Sequence, residues 1–172
     1  MNTAIFLADG FEEIEGLTVV DMFRRAGIPI QTVSISDSLT VTGSHDIKVQ
    51  ADCLLADFDF NTVEMLILPG GMPGTTNLSK CEPLCDALMQ FSRQGRYTAP
   101  LCAAQCLICC LGLLNGRVAS CYPHFDKQPF GASIITDPVA KAGTVITTPG
   151  MGTAIEFASN LIGLIQAPES AA

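Results

Sequence analysis

Short apolar runs alternate along the chain with segments in which apolar residues recur every three or four positions. An apolar run of four to eight residues is typical of a buried strand, whereas the longer period is typical of an amphipathic helix. The runs predict strands at 4–7, 28–35, 65–68, 97–101, 118–121, 132–135 and 144–148, with a hairpin or a sheet-edge excursion over 41–49. The periodic segments predict a helix that includes 17–24 and ends at Gly27, and further helices at about 82–96, 102–116 and 153–166.

This alternation predicts a single domain of residues 1–172 that is built from βα units. Strands that are apolar on both faces are typical of a parallel sheet, because helices then cover the sheet from both sides. We therefore expect an α/β fold with a mainly parallel sheet and helices on both faces.

The composition argues against a membrane span and against nucleic acid as a partner. Hydrophobic residues make up 48% of the chain, charged residues 15%, and the mean hydropathy is +0.38. The longest apolar run around the cysteines, 106–114, is well short of the roughly 18 to 20 residues that a spanning helix needs. The net charge of −8 disfavours nucleic acid and anionic membranes as main partners.

Two features predict a cytoplasmic location. The first nine residues show neither the basic region nor the cleavage site of a signal peptide. Half of the eight cysteines crowd onto one predicted helix, namely Cys102, Cys106, Cys109 and Cys110. A secreted disulfide framework spreads its cysteines through loops instead, so we expect reduced thiols.

Cys102 is the first candidate for chemistry, because it lies between a predicted strand and a predicted helix. Unpaired N–H groups at such a helix start favour an anion, and a thiolate is the nucleophilic form of cysteine. The alternative is a buried cysteine that acts as a small hydrophobic residue.

The carboxyl ends of parallel strands bring four turns together, at 8–15, 69–74, 102–104 and 122–124. Glu15 lies among apolar residues about one turn into a helix, where burial would raise its pKa and let a protonated carboxyl donate to a thiolate. The alternative is an acidic residue that only favours the helix dipole. The N–H groups beside Gly70 and Gly71 could stabilise an oxyanion, or the segment could be a plain tight turn.

Metal chemistry fits the cysteine pattern less well. The spacing Cys102-x-x-x-Cys106-x-x-Cys109 is that of an iron–sulfur cluster motif, but the intervening residues favour a helix rather than an open loop. One regular helix also cannot surround a tetrahedral zinc ion. Neither His45 nor His124 is identifiable as a general base from spacing alone. The residues by themselves lead to a reactive thiol in a doubly wound domain.

Several segments together resemble the ThiJ/PfpI superfamily, in the branch that contains the parkinsonism-associated deglycase. The matching segments run in order over nearly the whole chain: Ala8-Asp9-Gly10-Phe11-Glu12-Glu13-Ile14-Glu15, Val20-Asp21-Met22-Phe23-Arg24-Arg25-Ala26-Gly27, Leu66-Ile67-Leu68-Pro69-Gly70-Gly71, Leu101-Cys102-Ala103-Ala104, Leu111-Gly112-Leu113-Leu114, Cys121-Tyr122-Pro123 and Thr148-Pro149-Gly150-Met151-Gly152-Thr153.

This resemblance implies a flavodoxin-like α/β sandwich, a homodimer, and a nucleophilic cysteine that is hydrogen-bonded to a protonated glutamate, with no metal and no cofactor. These two roles fall on Cys102 and Glu15, because placing Cys106 at the elbow would delete about one helical turn. The remaining site residues implied by the resemblance are the N–H donors Gly71 and Ala103 and the pocket residues Tyr122, Pro123, Arg25 and His45.

The chain departs from the family pattern at two positions near the elbow. Gln105 stands where relatives usually have proline, and Pro100 replaces a small residue within the strand. A proline removes one hydrogen-bond donor from a central strand.

The implied activity is that of a glutathione-independent glyoxalase or deglycase, a hydro-lyase or hydrolase acting on small reactive dicarbonyls such as methylglyoxal. One alternative is a redox-sensing stress protein or chaperone in which Cys102 is oxidised without significant turnover. A second alternative is a degenerate member whose elbow is inactive because of Pro100 and Gln105.

Overall fold

The computed structural model of the chain describes residues 1–120 and 131–167. Its strands are β1 (Thr3–Leu7), β2 (Ile30–Ser34), β3 (Thr40–Thr42), β4 (Lys48–Gln50), β5 (Cys53–Leu54), β6 (Met65–Leu68), β7 (Tyr97–Pro100), β8 (Val118–Ser120), β9 (Ser133–Ile135), β10 (Ala140–Ala142) and β11 (Val145–Thr147). Its helices are α1 (Glu13–Arg25), α2 (Gly74–Ser79), α3 (Glu82–Gln94), α4 (Gln105–Cys110) and α5 (Ala154–Gln166).

The main sheet has the strand order β10-β11-β7-β6-β1-β2-β5. Its neighbouring strands pair in parallel, except that β10 runs antiparallel to β11. When the edge strands β10 and β5 are left out, the remaining order is β11-β7-β6-β1-β2. This is the strand order of a flavodoxin-like sheet, in which the chain connections reverse direction beside β1. The predicted fold class is therefore confirmed.

Side chains of the central strands alternate between two apolar cores, one on each face of the sheet. Phe6 and Leu66 contribute to the core beneath α3 and α4, together with Leu88 and Phe91. Ile5 and Ile67, their neighbours along the strands, face the opposite way and pack against α1 and α5. These two helices contribute Phe23, Phe157 and Leu161 to the second core. Burial on both faces explains why these strands are continuous apolar runs in the sequence.

Most predicted elements are confirmed, and the differences lie at short ones. The predicted hairpin forms β3 and β4 as a separate two-stranded sheet, and within the described residues β8 pairs with β9 in a second small sheet. The helix predicted to reach 116 is wrong in length, because α4 ends at Cys110 and Gly112 has φ +74°, which does not continue an α-helix. The sequence reading missed α2, β5 and β10, which have two to six residues each.

No helix within the described ranges has the length and apolarity that crossing a membrane requires.

Candidate active site

Cys102 forms a sharp turn between β7 and α4. Its φ is +46°, a left-handed conformation that is uncommon for a residue with a side chain. Hydrogen bonds on both sides of the turn hold it: the Leu101 N–H donates to the Leu68 carbonyl at 2.9 Å, and the Cys102 N–H donates to the Thr148 carbonyl at 3.1 Å. The turn therefore fixes the position of the sulfur at the carboxyl ends of β6, β7 and β11.

Glu15 reaches the same position from the first turn of α1. Its side chain is buried, and the Gly70 N–H donates to Oε2 at 2.7 Å. The carboxyl group is also hydrogen-bonded to the Cys102 side chain and to the backbone of Met151. Four chain segments thus converge on one carboxyl–thiol pair.

Two glycines leave the space that this pair occupies. A Cβ atom at Gly70 would lie 2.6 Å from Glu15 Oε2 and 2.9 Å from Cys102 Cβ. A Cβ atom at Gly150 would lie 3.2 Å from the Cys102 sulfur. A side chain at position 70 would therefore displace the carboxyl group, and one at position 150 would crowd the sulfur.

Burial raises the pKa of Glu15 to about 7, and the negative charge of Glu12 contributes to the rise, although hydrogen bonds from Gly70, Cys102 and Met151 oppose it. This confirms the direction predicted from the sequence. At neutral pH a large share of the Glu15 side chains therefore carries a proton and can donate a hydrogen bond.

The pKa of Cys102 is raised to about 12, first by burial and then by the negative charge of Glu15, while the Ala103 N–H lowers it. The lowering predicted from a helix start is therefore wrong, because the partial burial of Cys102 and the charge of Glu15 outweigh the effect of α4, which has only six residues. A proton on Glu15 removes the repulsive charge, and its O–H can then donate to the sulfur. The pair therefore holds one proton more readily than none.

The other predicted donors lie close to this pair. Ala103 is buried next to the elbow, and its N–H group is the one that donates to the Cys102 sulfur. Gly71 has φ +91° and packs so closely against the loop of residues 10–12 that a Cβ atom there would clash with its backbone. The part that the Gly71 N–H plays in chemistry stays a prediction.

Two predicted pocket residues lie away from the elbow within the same chain. Arg25 is exposed in the last turn of α1 and pairs with Asp21 at 2.7 Å. It lies ten residues beyond Glu15, about 15 Å along the helix axis. His45 lies in the turn between β3 and β4 and bonds to Glu13 rather than to Cys102 or Glu15. The remaining two, Tyr122 and Pro123, lie outside the described residues, as does His124.

The pairing of His45 with Glu13 fastens the hairpin to the first turn of α1. The His45 N–H donates to Glu13 Oε1 at 2.7 Å, and His45 Nδ1 lies 2.9 Å from Oε2. Burial alone would raise the pKa of Glu13, but hydrogen bonds from His45 and Ser44 lower it to about 2. In return, the Glu13 hydrogen bond and the charge of Glu12 raise the pKa of His45.

The same corner is the group of side chains in the described ranges that could hold a metal ion. One donor atom from each of Glu12, Glu13 and His45 lies within 4.8 Å of the others. Hydrogen bonds from the hairpin already satisfy the buried Glu13 carboxylate.

A cleft of ≈ 250 Å³ lies beside the elbow, between α2 and α4. Its lining includes Ala103 and Met72, which directly follow Cys102 and Gly71 in the sequence. The cleft therefore lies next to the turns that carry these two residues. The other lining residues are small or apolar: Thr75, Thr76, Ser79, Cys106, Leu107 and Cys110.

Sequence reasoning missed the contributions of Gly150 and Met151, which follow β11. The available signal was the predicted strand at 144–148, because a parallel strand beside β7 ends at the same edge of the sheet. It also missed Gly70 as the N–H donor to Glu15, because the sequence does not show which of two adjacent glycines faces the carboxyl group.

Comparison with known proteins agrees with this fold. The model of the DJ-1/PfpI family matches residues 1–164. Protein DJ-1 homolog B of Arabidopsis thaliana is 34% identical over 167 residues, which cover 96% of this chain and 38% of the relative. The chain spans less than half the length of the two Arabidopsis DJ-1 homologs that it matches.

Two further relatives match over most of their own length. Glutathione-independent glyoxalase DJR-1.2 of Caenorhabditis elegans is 29% identical, with 92% of this chain and 84% of the relative covered. The solved structure of oxidized Toxoplasma gondii DJ-1 has a TM-score of 0.90 at 31% identity, with 96% of this chain and 90% of that chain covered. The chain belongs to the DJ-1/PfpI family.

Proposed function

We propose that the chain is a cysteine-dependent, cofactor-independent enzyme of the glyoxalase or deglycase type that acts on small reactive dicarbonyls. The observation that carries this proposal is the buried contact between Glu15 and Cys102 at a left-handed turn. A carboxyl group with a pKa of about 7 can both give and take a proton near neutral pH, which suits an acid–base catalyst.

In the first step the Glu15 carboxylate takes the proton of the Cys102 thiol, and the sulfur adds to the aldehyde carbon of methylglyoxal. A carbon–sulfur bond forms, and the electron pair of the C=O bond moves to oxygen. The Ala103 and Gly71 N–H groups stabilise this oxyanion, and Glu15 then transfers its proton to it, which gives a hemithioacetal.

Glu15, now a carboxylate, removes the hydrogen from the former aldehyde carbon, and the electron pair moves toward the neighbouring ketone. Glu15 then gives a proton to that second carbon, and the hydroxyl proton of the first carbon moves to the oxygen of the second, which gives a thioester of a 2-hydroxy acid. Water then hydrolyses the thioester, which releases lactate and restores the Cys102 thiol. The sequence is an internal oxidation–reduction of the substrate, so it consumes no external oxidant.

The name of the Caenorhabditis elegans relative, a glutathione-independent glyoxalase, supports this reading. A deglycase acting on dicarbonyl adducts is a variant that uses the same thiol and carboxyl. We further propose that the protein acts as a cytoplasmic homodimer, as the family resemblance implies.

The test is conversion of methylglyoxal without glutathione, with chelator present, in deuterium oxide. The proposal predicts lactate that carries deuterium at its second carbon, because the Glu15 proton exchanges with solvent. Absence of lactate would contradict the enzyme reading, and lactate with only protium at that carbon would contradict exchange with solvent of the proton held by Glu15.

A redox-sensing function is the second candidate, and the position of Cys102 favours it. The thiol is only partly buried, and an N–H group and a carboxyl group lie next to its sulfur. These neighbours could stabilise an oxidised sulfur, and the related Toxoplasma gondii structure is that of an oxidized protein. Mild peroxide followed by peptide mass spectrometry tests it: a sensor oxidises at Cys102 before its other cysteines and shows no dicarbonyl turnover.

A further inference from the structure

Given the function proposed above, we propose that Gln105 is a positioning residue for Cys102, and that it replaces a strand hydrogen bond that Pro100 cannot make. Pro100 is the last residue of β7, and Gln105 is the first residue of α4. The hydrogen bonds around β7 and β11 show how these two residues fit together.

The ladder between β7 and β11 has a gap just before the elbow. The Thr98 N–H donates to the Thr144 carbonyl at 2.9 Å, and the Cys102 N–H donates to the Thr148 carbonyl at 3.1 Å. Parallel ladders repeat every two residues, so the donor between these two would be residue 100, opposite the Ile146 carbonyl. Proline has no N–H group, and this bond is therefore missing.

Gln105 supplies a hydrogen bond to the carbonyl two residues after that of Ile146, which belongs to Thr148. Its side chain is buried, and Nε2 donates to the Thr148 carbonyl at 2.6 Å. A carbonyl oxygen accepts two hydrogen bonds, and this one accepts from both Cys102 and Gln105. The first residue of the elbow and the first residue of α4 are thus held to a single acceptor beyond the end of β11.

Thr148 also connects these two hydrogen bonds to the turn that contacts Glu15. The hydroxyl group of Thr148 lies 2.6 Å from that of Thr153, which donates to the Gly150 carbonyl at 2.9 Å. The next residue, Met151, forms the backbone hydrogen bond with the Glu15 carboxyl. The amide of Gln105 therefore acts on the turn that holds the nucleophile and, through Thr148, on the turn that contacts its proton partner.

The test compares Gln105→Met, which keeps a similar volume but loses the donor, with Thr3→Val as a matched control. Thr3 is also buried and donates to a backbone carbonyl, that of Pro29 at 2.8 Å, but it lies at the amino end of β1, away from the elbow. We expect Gln105→Met to lower kcat about tenfold or more with little change in KM, because the nucleophile is misplaced. The rate of Cys102 alkylation, followed by peptide mass spectrometry, should fall severalfold and its pH midpoint should rise.

Thr3→Val should lower the melting temperature while both readouts at Cys102 stay unchanged. If Gln105→Met lowers only the melting temperature, as Thr3→Val does, the positioning role is wrong. Alkylation requires no turnover, so a chain that shows no dicarbonyl activity but loses Cys102 reactivity in Gln105→Met would refute the proposed function and keep the positioning role.

The replacement of the strand bond is tested by restoring the missing donor with Pro100→Ala. In the Pro100→Ala background, Gln105→Met should slow Cys102 alkylation less than it does in the unmodified chain. The fold reduction in the alkylation rate should be less than half of that in the unmodified chain. An equal effect in both backgrounds would overturn the link between the two residues. If Gln105→Met alone does not fold, the double variant Pro100→Ala/Gln105→Met should fold, because the restored N–H group replaces the lost hydrogen bond. A double variant that also fails to fold, while Pro100→Ala folds, would overturn the link between the two residues.

Discussion

At the scale of single residues, Glu15 and Cys102 share the proton on which the proposed chemistry depends. Glu15 is buried and Cys102 is partly buried, and the negative charge of Glu15 raises the pKa of Cys102. The pair therefore favours a neutral carboxyl group beside a thiolate, or a carboxylate beside a thiol, over a state with two negative charges.

Glu15→Gln should separate activation of the thiol from proton transfer. Glutamine keeps the shape and the acceptor for Gly70, but it carries no negative charge and donates an N–H permanently. We expect the pH midpoint of Cys102 alkylation to fall, while turnover of methylglyoxal drops about 100-fold or more because the acid–base group is lost. A variant with unchanged turnover would contradict the proton-shuttle role.

The same substitution should change how stability depends on pH. The pKa of Glu15 rises from 4.5 to about 7 on folding, so the folded chain holds the proton more tightly and loses stability as pH rises through this range. Relative to the unmodified chain, Glu15→Gln should gain about 2–3 kcal/mol of unfolding free energy between about pH 5 and pH 8.5. Urea unfolding at the two pH values measures this, and a gain that does not depend on pH would refute a buried, titrating Glu15.

Gly70→Ala tests the space around the pair. The added methyl group would lie 2.6 Å from the Glu15 carboxylate oxygen, so we expect turnover to fall strongly. Cys102 should then be alkylated no faster than the other cysteines. Gly163→Ala is the control, because no atom lies within 4 Å of that Cβ and the position is inside α5. It should keep activity and gain about 0.5–1 kcal/mol of stability from helix propensity. Full activity in Gly70→Ala would show that the close approach is not required.

At the scale of elements, the β3–β4 hairpin is fastened to the start of α1, the helix that carries Glu15. The Ser44 N–H donates to the Phe11 carbonyl at 2.8 Å, and a Cβ atom at Gly43 would overlap the Glu13 side chain. The buried Glu13 carboxylate and His45 complete this attachment. Protonation of His45 therefore strengthens a contact one turn away from the site.

The His45 ring should titrate above its ordinary value of 6.5, because the hydrogen bond to Glu13 raises its pKa. Stability from this pair is fully present below that ordinary value and is lost as pH rises through the higher folded pKa. NMR titration of the imidazole signals measures it directly, since the chain has only two histidines. In Glu13→Gln the His45 signal should return toward 6.5, and an unmoved midpoint would contradict the ion pair.

Element prediction from the sequence succeeded where burial is uniform and failed where tertiary contacts decide. Met65–Leu68 is apolar on both faces, and its predicted bounds are those of β6. Helix α2 has six residues with no apolar period, and it forms because the turn after β6 packs against the loop of residues 10–11. Such contacts leave no local pattern in the sequence.

At the scale of the whole molecule, strand order is what brings the site together. The sequence predicted that four turns share one edge, and the structure places three of them there, with Glu15, Gly70 and Cys102. The fourth turn, 122–124, lies outside the described residues. The turn after β11 joins them because β11 lies beside β7. The direction in which the pKa of Cys102 shifts could not be predicted from its position at a turn. That direction depends on burial and on a carboxyl group 87 positions away in the sequence.

The homodimer implied by the family resemblance is a property of the whole molecule and has its own test. Sedimentation velocity should give about twice the chain mass of 18.2 kDa. A monomer at micromolar concentration would contradict this part of the proposal and leave the chemistry of the elbow untouched.

The most direct test of the account is lactate formation from methylglyoxal, without glutathione, by the unmodified chain, Cys102→Ser and Cys106→Ser. Both cysteines lie in the same segment four residues apart, so Cys106→Ser is a matched control for loss of one thiol. We expect activity in the unmodified chain and in Cys106→Ser, and none in Cys102→Ser. Activity that survives in Cys102→Ser, or that is lost only in Cys106→Ser, would contradict the assignment of Cys102 as the nucleophile.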